Sequence, residues 1–343
     1  MGGGPGVDRP TATGREQLPA GARGTPHLAG RPLSDLAATA GAFVWAALAI
    51  AWWLGEAGVS TVDLFLALAV LVVVPLGMGL IAAPSRSTVW ARTYRLALAA
   101  QFPAALATVV GLTQPVGSTA RLVLVMPWAV LTVVLGLLGA RRLWTRDRSH
   151  VGAISTDVGL LYLPVAGAFL VMHALDVTLQ FSSLIVALTV VHFHYAGFAL
   201  PVAVGVAAED SAVSTWPSSR GGRALVTTAG IAGVLGGVAA IAVAITISPW
   251  WELPLVVGFV GAVFTVVGLV FVPLLPQLNR IPAALLAIAS VSLVVGMALA
   301  VADAYSVFPA TGVVVTIPEM VRWHGSINAF GFTLAALLAL RLR

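Results

Sequence analysis

Ten separate apolar runs, each about 17–25 residues long, follow one another from residue 37 to the end of the chain. At 1.5 Å per residue, that length carries an α-helix across a hydrocarbon core about 30 Å thick. The runs are Ala37–Leu54, Val62–Ala82, Tyr94–Leu112, Leu122–Leu138, Val158–Leu175, Leu184–Val206, Ala224–Ile247, Leu253–Leu275, Ile281–Ala302 and Trp323–Leu342. Hydrocarbon offers no water to backbone N–H and C=O groups, so the runs must satisfy these groups internally, as helices. Only 9% of residues are charged and mean hydropathy is +1.00, against about 25% charged residues in a soluble protein. A soluble two-domain enzyme is therefore excluded, and the expected fold is all-α, a polytopic transmembrane helix bundle. Several runs carry a proline, among them Pro75, Pro103, Pro164, Pro201 and Pro273, each of these expected to kink its helix rather than break it.

Residues 1–35 stand apart as a Gly-, Pro- and Thr-rich stretch with four arginines and no apolar period, expected to be a disordered cytoplasmic tail. Residues 36–343 form the transmembrane domain. Asp8 and Glu16, with no short apolar core and cleavage site after them, distinguish the tail from a secretory signal.

All 18 basic residues are arginine, and their positions test the helix count. With a cytoplasmic N-terminus and ten spans, sixteen arginines fall on the inside and only Arg121 and Arg322 on the outside. That is the asymmetry of the positive-inside rule, and a missed or invented span would scramble it. The expected topology has both termini cytoplasmic, in the cell inner (plasma) membrane. The pI near 10.6 then reflects anchoring next to anionic lipid. No basic patch interleaved with aromatics sits on a soluble module, which argues against nucleic acid as a partner. The absence of cysteine rules out disulfides, a thiolate nucleophile, iron–sulfur clusters and Cys-based zinc sites. A Gly-x-x-x-Gly spacing in the seventh run (Gly233, Gly237) fits close helix packing.

Histidine inside a membrane span is rare and marks a candidate site. Four of the six histidines qualify: His173, His192, His194 and His324. The topology puts His173, with Asp176 three residues on, near the outer end of the fifth span. His192 and His194 come ~12–15 Å below the outer start of the sixth, and His324 near the outer rim of the tenth. Four polar groups distant in sequence thus gather in the outer half of the bilayer. His192 and His194 are two residues apart, about 200° around a regular helix. Either the sixth span is central and buried on both sides, or one of the two is structural. Thr316 and Glu319 fit a capping box that starts the tenth helix near Ile317, which places His324 and Asn328 on one face at i and i+4. Gly312–Thr316 reads equally as a short strand or a re-entrant piece. Asp63, Glu252, Asp303 and Glu319 add acidic groups on the outer side, and Gln101 lies near mid-membrane.

The segment Val191-His192-Phe193-His194-Tyr195-Ala196-Gly197-Phe198-Ala199-Leu200-Pro201 resembles the most recognisable stretch of the YndJ-like bacterial membrane proteins. His324-Gly325-Ser326-Ile327-Asn328-Ala329-Phe330-Gly331-Phe332 is similar to that family's other hallmark, and the likeness covers most of residues 37–342. Some members carry an extra soluble region for which this sequence has no room. The resemblance implies a multi-span bacterial membrane protein, in a family sometimes labelled transporter-like, and supplies no reaction.

Three functions fit these residues. In the first, a transporter or permease-like protein moves a small molecule, ion or proton through an outer polar cavity lined by His173, Asp176, His192, His194, Tyr195, His324 and Asn328. In the second, His173, His192 and His324 hold a metal, or paired histidines a haem, in a membrane enzyme or electron carrier. The His-x-His spacing is a weak signal for that, and no His-Glu-x-x-His motif is present. The third is a non-catalytic signalling or assembly component. The in-membrane polar cluster and the absence of an established catalytic motif rank transport first.

Overall fold

The structure, a computed structural model, describes residues 26–28, 30–83, 89–146, 150–210 and 221–343. The described residues contain ten helices long and apolar enough to cross a membrane. They are α1 (Leu33–Trp53), α2 (Thr61–Leu80), α3 (Val89–Leu112), α4 (Thr119–Thr145), α5 (Val151–Leu175), α6 (Ser183–Asp210), α7 (Gly222–Ile247), α8 (Pro249–Gln277), α9 (Arg280–Val307) and α10 (Ile317–Leu342). Each expected span is present, and most extend a turn or so beyond their apolar run. Most of the proposed tail lies outside the described residues, as do Arg86, Arg148 and Arg220. Within the tail's described part, β1 (His27–Leu28) pairs antiparallel with β2 (Arg31–Pro32), and α1 begins four residues before Ala37.

α2 and α6 form the middle of the bundle. The most apolar stretch of α2 is buried throughout, whereas that of α1 is 17% buried. α2 touches α1, α3, α6 and α10; α6 touches α2, α5, α7, α8 and α10. Lipid tails are as apolar as leucine, so such a bundle is held by close packing and internal polar contacts rather than by a hydrophobic drive between helices. On α7, a Cβ placed at Gly233 would come within 2.7 Å of the Ala262 Cβ on α8, so that glycine spacing serves close packing.

Three of the span prolines follow a widened, π-type turn. Ala69–Val73 precedes Pro75, Phe193–Ala199 precedes Pro201, and Val267–Phe271 precedes Pro273. Proline has no N–H to give the carbonyl four residues back, and its ring crowds that carbonyl. A π turn passes the freed carbonyl to a donor five residues on, so the helix accommodates the proline without breaking. Pro103 and Pro164 lie inside helices without such a turn.

We call the side where α1 begins and α10 ends the terminal face, and the other side the far face. Ion pairs close the terminal face. Asp157 of α5, fully buried, accepts from Arg142 Nε of α4 at 2.5 Å and from Nε of Arg146, the residue that caps α4, at 2.6 Å. Arg341 of α10 pairs with Asp35 of α1, and Arg343 with Asp210 of α6. Buried charges need such partners, and the Arg341 and Arg343 pairs join helices remote in sequence.

Candidate functional site

At the far face two capping boxes set the entry of α2 and α10. Ser60 N–H and Oγ–H donate to Asp63 Oδ2 at 2.9 and 2.8 Å. Thr316 N–H and Oγ1–H donate to Glu319 Oε2 at 2.9 and 2.7 Å, so α10 starts where its sequence signature puts it. The preceding Gly312–Thr316 segment is neither strand nor re-entrant helix. It is an irregular connection, tied by the N–H groups of Val314 and Val315 to Ser306 Oγ.

The seven candidate residues separate into distinct places. His173 enters a buried cluster with Asp63 of α2 and Arg121 of α4. Arg121 Nη2 lies 2.7 Å from His173 Nε2 and 3.7 Å from Asp63 Oδ1, and His173 Nε2 lies 3.4 Å from the same oxygen. Guanidinium only donates, so the short contact makes His173 Nε2 an acceptor and the imidazole neutral. Arg121 then carries the charge that balances Asp63, and its Nη1 donates to the carbonyls of Leu112 and Gln114. Asp176 does not join His173. It ends α5 in a left-handed conformation (φ 57°) and is exposed, and the carboxylate beside His173 is Asp63, delivered by another helix.

His194 is fully buried with both ring nitrogens occupied. Nδ1–H donates to the Val190 carbonyl at 2.8 Å, and Nε2 accepts the Trp128 indole N–H of α4 at 3.0 Å. Tyr195, also buried, donates its hydroxyl to the Phe65 carbonyl of α2 at 3.0 Å. These two side chains fix α6 against α4 and α2. The second half of α6 is buried all round, and His194 is a packing partner, so both readings of the His-x-His pair hold in part.

His192 points the other way, toward α10. Its ring stacks on that of His324, with centroids 6.4 Å apart and planes at 26°. His192 Nδ1–H donates to the Leu188 carbonyl at 2.8 Å, and His324 Nδ1–H to the Gly296 carbonyl of α9 at 2.9 Å. A carbonyl only accepts, so in each neutral ring Nε2 carries the lone pair. Asn328 Nδ2 donates to the His324 carbonyl at 2.9 Å. It rests where Gly296 has no side chain: a Cβ there would lie 2.6 Å from Asn328 Nδ2. Asp303 of α9, half-buried, is within electrostatic reach of His192, and Glu252 of α8 within that of Asp303. From the far face inward the order is Glu252, Asp303, then the paired histidines and Asn328.

The three candidate metal ligands do not share one centre: His192 and His324 face each other, whereas His173 faces Arg121 and Asp63. Among the described residues no group of three or more His, Asp or Glu side chains is placed to hold a metal ion. Gln101 is fully buried on α3, and among the described residues neither its Oε1 nor its Nε2 has a hydrogen-bond partner. Sequence reading missed the role of Arg121, although its position outside the positive-inside pattern was a signal.

Residues 64–332 match the family described as YndJ-like protein, and the chain belongs to that family. The uncharacterized membrane protein YndJ of Bacillus subtilis (strain 168) is 29% identical over 216 residues, which make up 63% of this chain and 37% of that relative. The chain thus spans well under half the length of that relative. No solved structure matches the chain.

Proposed function

We propose that the protein is a permease-like membrane protein whose polar pathway enters from the far face along Glu252, Asp303, His192, His324 and Asn328. We also infer that the far face is extracytoplasmic, both termini are cytoplasmic and the membrane is the inner one, because among the described residues every arginine except Arg121 and Arg322 falls on the terminal side. The observation that carries the transport reading is the stacked His192–His324 pair, each ring pinned through Nδ1 and leaving Nε2 with its lone pair. Ionisable side chains in a span are costly and, where present, mark ion and proton routes. Imidazole changes charge near neutral pH, which suits it to accept and pass on a proton. His173, His194, Tyr195 and Asp176 stand outside this route, as positioning or helix-ending residues.

The test is proton flux into vesicles containing the purified chain, read by a trapped pH-sensitive dye under an imposed potassium diffusion potential. Flux above that of protein-free vesicles is expected, and His192→Ala should reduce it to the protein-free level. His192 is exposed, so this variant should fold and elute like the parent. No flux from the parent, or unchanged flux from folded His192→Ala, contradicts the proposal.

A further inference from the structure

Two arginines break the asymmetry between the faces, and the structure accounts for one: Arg121 balances Asp63. Arg322 is exposed, lies over the Trp323 ring at 4.9 Å and makes no ion pair among the described residues. It stands at the edge of a cavity of about 810 Å³ between α1, α2, α6 and α10. Apart from Ser60, Thr61, Arg322 and Ser326, the lining is aromatic and aliphatic.

The apolar wall is fixed in place. Trp45 donates its indole N–H to the Leu64 carbonyl at 2.8 Å, and Phe330 packs between Trp45 and Phe65 with centroids 5.6 and 6.4 Å away. Trp45 lies eight residues before the end of α1, ~12 Å below the far face. The cavity therefore reaches from the headgroup level to near the bilayer centre, ~15 Å down. It is separate from the histidine pair, whose residues do not line it.

We propose that this cavity binds one anionic phospholipid, its phosphate at Arg322 and an acyl chain along Trp45, Phe65 and Phe330. Charge complementarity selects the occupant. A lone guanidinium at a rim that otherwise offers only hydroxyls matches a phosphate, and the apolar wall below matches an acyl chain. Ser60 and Thr61, at the start of α2, supply further donors near the far face, and Ser326 one more, a turn of α10 below Arg322. This assignment does not depend on the transport reading.

Native mass spectrometry of the purified full chain tests it, with phosphatidylglycerol and phosphatidylcholine of identical acyl chains and with glycerol phosphate as probes. One phosphatidylglycerol should bind in preference to phosphatidylcholine. Arg322→Gln should weaken it by about tenfold, the scale of one charged hydrogen bond, while leaving phosphatidylcholine unchanged. Ser326→Trp, which fills the cavity, should weaken both lipids. Equal binding of the two lipids, an Arg322→Gln variant like the parent, or glycerol phosphate binding as well as the lipid each overturns the proposal.

Discussion

Arg121→Met should destabilise the protein by about 3–5 kcal/mol, the cost of leaving a buried carboxylate without its cation. Arg121 is 3% exposed and Asp63 is 8% exposed, so little water is available to take over. His173 is held neutral by the arginine it accepts from, and it does not cancel the charge of Asp63 without first gaining a proton. Asp63→Asn keeps an oxygen for the Ser60 cap and removes the charge. The double variant Asp63→Asn, Arg121→Met should therefore lose less than Arg121→Met alone. Thermal or denaturant unfolding in detergent measures both. A single variant as stable as the parent would mean that Asp63 is hydrated or uncharged.

Gly205→Leu should cost about 3 kcal/mol, at the upper end for overpacking. Gly152 of α5 and Gly205 of α6 meet backbone to backbone. A Cβ at Gly205 would fall 2.4 Å from the Gly152 carbonyl oxygen, and one at Gly152 would fall 2.5 Å from the Gly205 carbonyl oxygen. No rotamer removes a clash between a Cβ and main chain, so the helices must separate. Ser155 Oγ donates to the Pro201 carbonyl across the same interface at 2.8 Å. Because Pro201 follows the turn holding His194 and Tyr195, separation also loosens the support of His192. The expected result is lower unfolding temperature together with reduced flux. An unchanged unfolding temperature would contradict the close approach.

The architecture was legible because its signals are local. Each span announces itself by length and hydropathy, and the start of α10 by Thr316 and Glu319. The divergence of His192 and His194 follows from 100° per residue, and the structure sends one to His324 and the other to Trp128. What stayed hidden depends on the angle at which helices face each other. Depth and a spacing of three residues put His173 and Asp176 together, yet His173 meets Arg121, 52 residues away, and Asp63, 110 residues away. Pro75, Pro201 and Pro273 signalled distortion, but its form as π turns depends on neighbouring packing. The turns at Met320–Gly325 and Ile327–Leu334 of α10 have no proline following them to announce them.

The central claim is a water-filled polar route entering from the extracytoplasmic side, and the chain's lack of cysteine makes it directly testable. Asp303→Cys, Asn328→Cys and Val291→Cys are made singly and exposed in intact cells to a charged, membrane-impermeant thiol reagent. The reagent needs a thiolate, which forms in water and not in hydrocarbon. The account predicts modification at 303 and 328 from outside the cell. Val291, exposed on α9, the helix of Asp303, should stay unmodified. Cysteines at 303 and 328 as inert as that at 291, or reactive only from the cytoplasmic side, would contradict it.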